Sequence, residues 1–318
     1  MIVTLTPNPS VDRTVEVLRL RRGAVMRARA AHVDAGGKGV NVSRALAANG
    51  HKSLAVLPLG GAEGVQLSAL LAGLGVDIVP VPIGQSVRAN VAIIEPDGTT
   101  TKVNEPGPRL RQAEVSALIS ATIDAARDAG HAARWLALCG SLPPGAPSDL
   151  YFRLVDALAD SDIQVAVDSS GPDFAKALQA GPDLVKPNRD ELAEIVARRL
   201  LTLGDVVDAA EELRARGART VLASLGADGA VVVGPEGAIY GEAPVAEPRS
   251  TVGSGDAMLA GYLSASATGA AGALAEALAW GAAATSLPGS RMPEPQDLDR
   301  AAVRVHDAID RNRPLKGA

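Results

Sequence analysis

Residues 249–261, Arg-Ser-Thr-Val-Gly-Ser-Gly-Asp-Ala-Met-Leu-Ala-Gly, bring together the residue types best suited to chemistry. Gly253, Ser254 and Gly255 are small enough for backbone N–H groups to converge, and the apolar run after Asp256 fits a helix through about Ala267. A glycine turn at a helix N-terminus makes an anion site, most often for phosphate. The carboxylate of Asp256 would stand where it can take a proton from a hydroxyl attacking a phosphoryl group. The same letters also describe a capped helix after a tight turn, with Asp256 as an ordinary cap.

A second glycine turn, Gly36-Gly-Lys-Gly-Val-Asn-Val-Ser43, likewise runs into a helical pattern. It has neither the order of a Walker phosphate loop nor that of a dinucleotide fingerprint. It does place Gly37, Lys38 and Asn41 at a helix start, which suits a sugar or its phosphate; the alternative is a plain strand-to-helix turn with a solvated Lys38. Asp12 lies just beyond the first strand, where open α/β sheets bind ligands, and could equally cap the turn at Pro9 and Ser10. Arg88 and Lys102 offer positive charge, and Asn90 and Asn104 offer amides. A solvated strand face explains Lys102 better than it explains Arg88. Asn188 and Glu191 have the form of a capping box, to which contact with phosphate or magnesium would be an addition.

The elements that must position these residues alternate in type. Apolar strands are read at Ile2–Leu5, Leu54–Leu59, Val76–Val81, Trp135–Cys139, Val165–Val167 and Leu184-Val185. Helical patterns lie between them at 65–74 and 110–129, and after the last at 206–216. That alternation predicts βαβ units and a mostly parallel sheet. Several strands give out into small or polar residues at their C-terminal ends, among them Gly140-Ser141, Asp168-Ser169 and Lys186-Pro-Asn188. Thr220–Ala223 leads into Ser224-Leu-Gly-Ala-Asp-Gly229, with 230–233 as its hairpin partner. The segment 87–104, turning at Asp97-Gly98, reads as another hairpin, out of place in a parallel sheet. With 11–33 it is assigned to a small separate sheet that could cover a site. An Ala-rich helix over 271–286 packs closely or leaves room for a flat ring such as adenine, and 298–309 reads as a terminal amphipathic helix.

The 318 residues include only two Phe, three Tyr and two Trp, so Ala, Val and Leu must build the core. A net charge of −5 gives no case for nucleic acid or an anionic membrane, so an anionic substrate needs local basic residues. Cys139 is the only cysteine, which suits a reducing compartment, and neither a signal peptide nor an 18-residue apolar run is seen. A cytoplasmic protein is expected. His32, His51, His131 and His306 are dispersed and read as structural or solvated.

Taken in order, these motifs resemble the PfkB (ribokinase-like) family of sugar kinases. The matching segments are Thr6 to Asp12, Gly36 to Ser43, Arg88 to Asn90, Thr101 to Gly107, Gly140 to Gly145, Lys186 to Glu191, Ser224 to Gly229 and Ser250 to Asp256. The resemblance implies one ribokinase-like domain over 1–318, a three-layer α/β/α sandwich with a mostly parallel central sheet and a β-sheet lid from about 11–33 and 87–104. It implies ATP-dependent phosphorylation of a hexose phosphate with Mg2+, fructose 1-phosphate first and fructose 6-phosphate or tagatose 6-phosphate as alternatives. From another class, a sugar or nucleotide sensor on the same scaffold would lack the base, which is present.

By position, Asp256 resembles the general base, and Gly253, Ser254 and Gly255 the anion hole. Asp12, Gly37, Asn41, Asn90 and Ser141 resemble the sugar-side residues, with Lys38 and Arg88 on the phosphate the sugar already carries. Lys186, Asn188 and Glu191 resemble the motif ordering ATP phosphates and, indirectly through Glu191, magnesium. Ser224 and Gly226 resemble nucleotide contacts. Ser254, Ser43 and Ser10 replace the usual Ala and stay small. A homodimer through the lid is a further implication.

Overall fold

The computed structural model describes residues 1–127 and 133–316. In chain order the elements begin β1 (Ile2–Leu5), β2 (Ser10–Glu16), β3 (Ala30–Gly36), α1 (Lys38–Ala48), β4 (Ser53–Leu59), α2 (Gly61–Gly73), β5 (Asp77–Pro82), β6 (Arg88–Ile94) and β7 (Thr100–Asn104). They continue α3 (Gln112–Arg127), β8 (Trp135–Cys139), α4 (Leu150–Ala157), β9 (Gln164–Asp168), α5 (Gly171–Leu178), β10 (Leu184–Val185), α6 (Arg189–Ile195) and α7 (Leu203–Ala215). The last are β11 (Thr220–Ser224), β12 (Ala230–Gly234), β13 (Gly237–Glu242), α8 (Ser254–Ala265), α9 (Gly269–Ser286) and β14 (Arg304–His306).

Ten strands form one sheet in the order β14-β13-β12-β11-β10-β9-β8-β1-β4-β5. Strands from β11 to β5 in that order run parallel, and β12 to β14 add an antiparallel edge. The central strands are buried on both faces, as parallel strands under helices must be. Alternate residues of β8 serve opposite layers. Leu136 and Leu138 join the large cluster that includes Leu118, Tyr151 and Phe174, while Trp135, Ala137 and Cys139 face α1, α8 and α9. The second layer is built from small residues, so its helices approach closely: a Cβ at Gly261 of α8 would lie 2.7 Å from the Glu276 carbonyl oxygen of α9. The scarcity of aromatic residues is met by short distances between elements.

The smaller sheet has the order β3-β2-β6-β7. β2 pairs parallel with β6, register Asp12 with Asn90, and antiparallel with β3, register Asp12 with Asp34. Both segments expected in a separate sheet therefore lie in it, though β3 begins only at Ala30 and residues 18–29 contribute no strand. The capping box of Asn188 and Glu191 is present, with both backbone bonds at 2.8 Å.

One expectation fails. Residues 298–309 do not form an amphipathic helix but a short 3₁₀ turn, Arg300–Ala302, followed by β14. The Asp299 side chain accepts from Ala302 N–H and caps a single turn, and Val303 and Val305, two residues apart, both pack on the core beside β13. That spacing is the period of a strand. The helix expected over 110–129 is found as α3, with 128 and 129 outside the described residues, as is His131. No helix among the described residues is long and apolar enough to cross a membrane.

Candidate active site

The site lies at the carboxyl ends of β1, β8, β9 and β10, where parallel strands deliver side chains and helices begin. The two glycine turns meet there, because α1 and α8 pack against each other. Gly253 caps α8 in a left-handed conformation (φ 78°), a backbone state in which glycine meets no Cβ penalty. The N–H groups of Gly255 and Asp256 have no acceptor among the described residues, so the helix start presents open donors. Asp256, only 8% exposed, accepts a hydrogen bond at Oδ2 from Asn41 Nδ2 of α1 at 2.9 Å. The side chain expected to be the base thus reaches back to the helix of the first glycine turn.

Around it runs a buried alternation of charge. Asp168, at the end of β9, holds Lys38 Nζ at 2.8 Å on one oxygen and Lys186 Nζ at 3.2 Å on the other. Lys38 also lies 3.5 Å from Glu191. A Cβ at Gly255 would stand 3.3 Å from Lys186 Nζ, which places that ammonium beside the open amides. Burial pushes the Asp256 carboxyl up to about 6, with the Asp168 charge adding to the rise and Asn41, Lys186 and Lys38 opposing it. Burial acts upward on Asp168 as well, yet Lys186 and Lys38 outweigh it and hold that carboxyl below the usual range. One carboxylate is fixed as a counter-ion and the other is poised to exchange a proton near neutrality.

Two cavities flank the loop 249–255. One, about 340 Å³, is lined by Asp12, Asp34, Asn90 and Asn104 of the small sheet and by Arg249, Ser250 and Val252 of the loop. Asp12 Oδ1 accepts from Ser10 Oγ at 2.7 Å and from Asn90 Nδ2 at 2.9 Å, and Gly36 passes so close that a Cβ there would lie 2.3 Å from Asp12 Oδ2. Arg88 donates to the Glu105 carbonyl at 3.1 Å, and burial pulls its guanidinium down while Asp12 and Glu105 oppose that. The other cavity, about 400 Å³, is lined by Ser224, Gly226 and Ala227, by Thr251, Ser254 and Gly255 of the same loop, and by Leu278, Gly281, Ala282 and Thr285 of α9. The small residues of α9 thus line a space.

Asp256, Asn41, Lys38, Lys186 and Glu191 are brought together, while Asp12, Arg88 and Asn90 gather at the small sheet, and Ser224 and Gly226 line the second cavity. Asn188 is exposed and engaged in its capping box, Gly37 caps α1, and Ser141 is exposed after β8 beside Gly140. Lys38, expected beside Arg88, is instead paired with Asp168 and Glu191, so these two cations form no single patch. Asp168 was not singled out from sequence; its signal was a lone acid ending a fully apolar strand at the ligand-binding edge. Among the described residues no group of three or more His, Cys, Asp or Glu could hold a metal. The site has Glu191, with one oxygen bonded within its cap, and two ammonium groups. That donor set fits a magnesium ion bound chiefly by phosphates and water.

A family model described as pfkB family carbohydrate kinase matches residues 6–296. The 1-phosphofructokinase of Rhodobacter capsulatus is 39% identical over 310 residues, covering 96% of each chain. The 1-phosphofructokinase of Haloferax volcanii is 37% identical over 98% of this chain and 100% of that one. Phosphofructokinase-2 from Escherichia coli, in a crystal structure with substrates and products, superposes with a TM-score of 0.86 at 33% identity, covering 93% of this chain and 96% of that chain.

Proposed function

The chain belongs to the pfkB family of carbohydrate kinases, and from that premise we propose that it transfers the γ-phosphoryl group of ATP to fructose 1-phosphate, giving fructose 1,6-bisphosphate. The observation that carries the reading is Asp256, buried next to the loop that lines both cavities, oriented by Asn41 and placed at a helix start whose amides are open.

The sugar phosphate occupies the cavity under the small sheet. Asp12, Asn90, Asn41, Gly37 and Ser141 hold its hydroxyls, and Arg88 holds the phosphate it already carries. The nucleotide enters the cavity beside Ser224, Gly226 and α9. The free hydroxymethyl oxygen attacks the γ-phosphorus, Asp256 takes its proton, the new P–O bond forms and the bond to ADP breaks. The amides over Gly253–Gly255, with Lys186 and Lys38, stabilise the charge on the transferring group. Lys38 lies close enough to Asp168 and Glu191 to act there, and its ammonium is held above the usual lysine range by those two acids despite its burial. Glu191 and Asn188 would hold magnesium through water, and the ion would neutralise phosphate charge. The small sheet acts as a lid that keeps water, a competing acceptor, from the phosphoryl group.

We place the reaction in the cytoplasm, where ATP and sugar phosphates meet. Leu18, Val25 and Val103 are exposed on or beside the small sheet, and this supports pairing of two copies through it. Sedimentation at working concentration tests that pairing, and a monomer would overturn it. A coupled assay with fructose 1-phosphate, fructose 6-phosphate and tagatose 6-phosphate tests the substrate. The expected result is the highest kcat/KM on fructose 1-phosphate, and a preference for either of the others would overturn the assignment.

A further inference from the structure

Arg44 of α1 is buried at 8% exposure, yet no carboxylate lies within ion-pair distance of it among the described residues. Its Nη1 donates to the Ala35 carbonyl at 2.9 Å and to Asn41 Oδ1 at 3.0 Å, while its Nε is buried with no acceptor. A buried guanidinium with an orphaned donor and no direct counter-ion is costly. The compensation lies in what Nη1 touches. Ala35 belongs to β3 of the small sheet, and Asn41 is the donor to Asp256.

We propose that Arg44 is a positioning residue for phosphoryl transfer: by holding the Asn41 amide oxygen it fixes which end of that amide faces Asp256. With Oδ1 taken by the guanidinium, Nδ2 must turn to Asp256, which is acceptor-only when ionised and gains an O–H donor when protonated. A turned amide would set Nδ2 against another donor and Oδ1 against the carboxylate, unless Asp256 were protonated. Arg44 therefore favours the ionised base, and the same N–H group ties that choice to the strand of the sheet covering the sugar cavity. The charged groups facing Asp256 are Asp168 from β9, Lys186 after β10, and Lys38 and Arg44 from α1. Those facing Arg44 are Asp34 of β3, Asp12 of β2 and Asp256.

This inference rests on Asp256 being the base. Arg44→Met and Arg44→Lys are each made alone and combined with Asn41→Ala, and kcat and both KM values are followed against pH. Arg44→Met is expected to lower kcat about 10- to 100-fold, to leave the KM for ATP near that of the parent, and to move the acidic limb of the kcat profile upward. Arg44→Lys, which keeps the charge and reaches one acceptor, should recover part of the loss. Beside Asn41→Ala, loss of Arg44 should cost little more, because the group it acts through is gone. An unchanged kcat, a loss confined to KM, an unmoved acidic limb, or full additivity with Asn41→Ala each overturns the proposal. Failure of both Arg44 variants to fold overturns it too, since the residue would then be structural. Asp256→Asn assayed in parallel separates the two readings. Near-normal turnover there removes the base itself, whereas an inactive Asp256→Asn with additive Arg44 and Asn41 losses removes only the positioning role.

Discussion

The two glycine turns look alike on paper and do opposite work. In the first, glycine is needed because the space is full: a Cβ at Gly39 would lie 2.5 Å from Thr6 Oγ1 and 3.0 Å from the Leu5 carbonyl, and one at Gly37 would lie 2.8 Å from Thr6 Cγ2. Side chains then carry the chemistry, with Lys38 on Asp168 and Asn41 on Asp256. In the second turn Gly253 is crowded too, a Cβ there lying 2.7 Å from Met292 Cε, but Gly255 borders a cavity. Apart from the Lys186 ammonium, 3.3 Å away, nothing would crowd a Cβ at Gly255, and the backbone itself offers donors. Glycine served packing in one place and access in the other, so a glycine-rich turn cannot be assigned a role until its neighbours are known.

The largest effect expected from breaking this contrast is at Asp256. Asp256→Asn should lower turnover roughly 10²- to 10⁴-fold while ATP still binds, as read by single-turnover and equilibrium binding measurements. Next comes the small-sheet side: Arg88→Ala should raise the KM for the sugar phosphate by about 10- to 100-fold and leave the KM for ATP nearly unchanged, the loss of a charge-assisted contact. Equal losses on both substrates would remove Arg88 from the sugar side.

The pH profile gives a milder test. Because burial raises Asp256 to about 6, the carboxyl is protonated below that value and cannot accept a proton. The kcat/KM should therefore fall about tenfold per pH unit below it and level off above. A limb near the ordinary carboxylate range would mean that Asp256 is better solvated than its burial implies. The smallest effects separate the turns most directly. Gly39→Ala should lose about 1–3 kcal/mol of stability in a denaturant titration, since Thr6 and the β1 backbone have little room to move. Gly255→Ala should melt near the parent temperature and lose turnover instead, because only the Lys186 ammonium must shift.

The parallel sheet was legible because strands such as Leu54–Leu59 and Trp135–Cys139 are apolar without a break, and the small sheet because Asp97-Gly98 turns a hairpin where a helix was due. Asn188 with Glu191 was legible because a cap is a local device. The 298–309 segment was misread because its fate depends on an edge offered by β13, which no periodicity within the segment reports. Asp168 and Arg44 were missed for a related reason. Each draws its meaning from partners far along the chain, Lys38 at 130 residues' distance for the first and the Asn41 contact to Asp256, 215 residues apart, for the second. The pairing of Lys38 away from Arg88 belongs with them, since two cations in sequence do not declare which anion each will meet.

The segment 249–255 lines both cavities, with Arg249, Ser250 and Val252 toward one and Thr251, Ser254 and Gly255 toward the other. A compound anchored in either compartment therefore presses on a partition only one chain thick. Medicinal chemistry against such a protein would gain from short bridging molecules that span this divider, and drug resistance arising there would tend to damage recognition of both natural reactants at once.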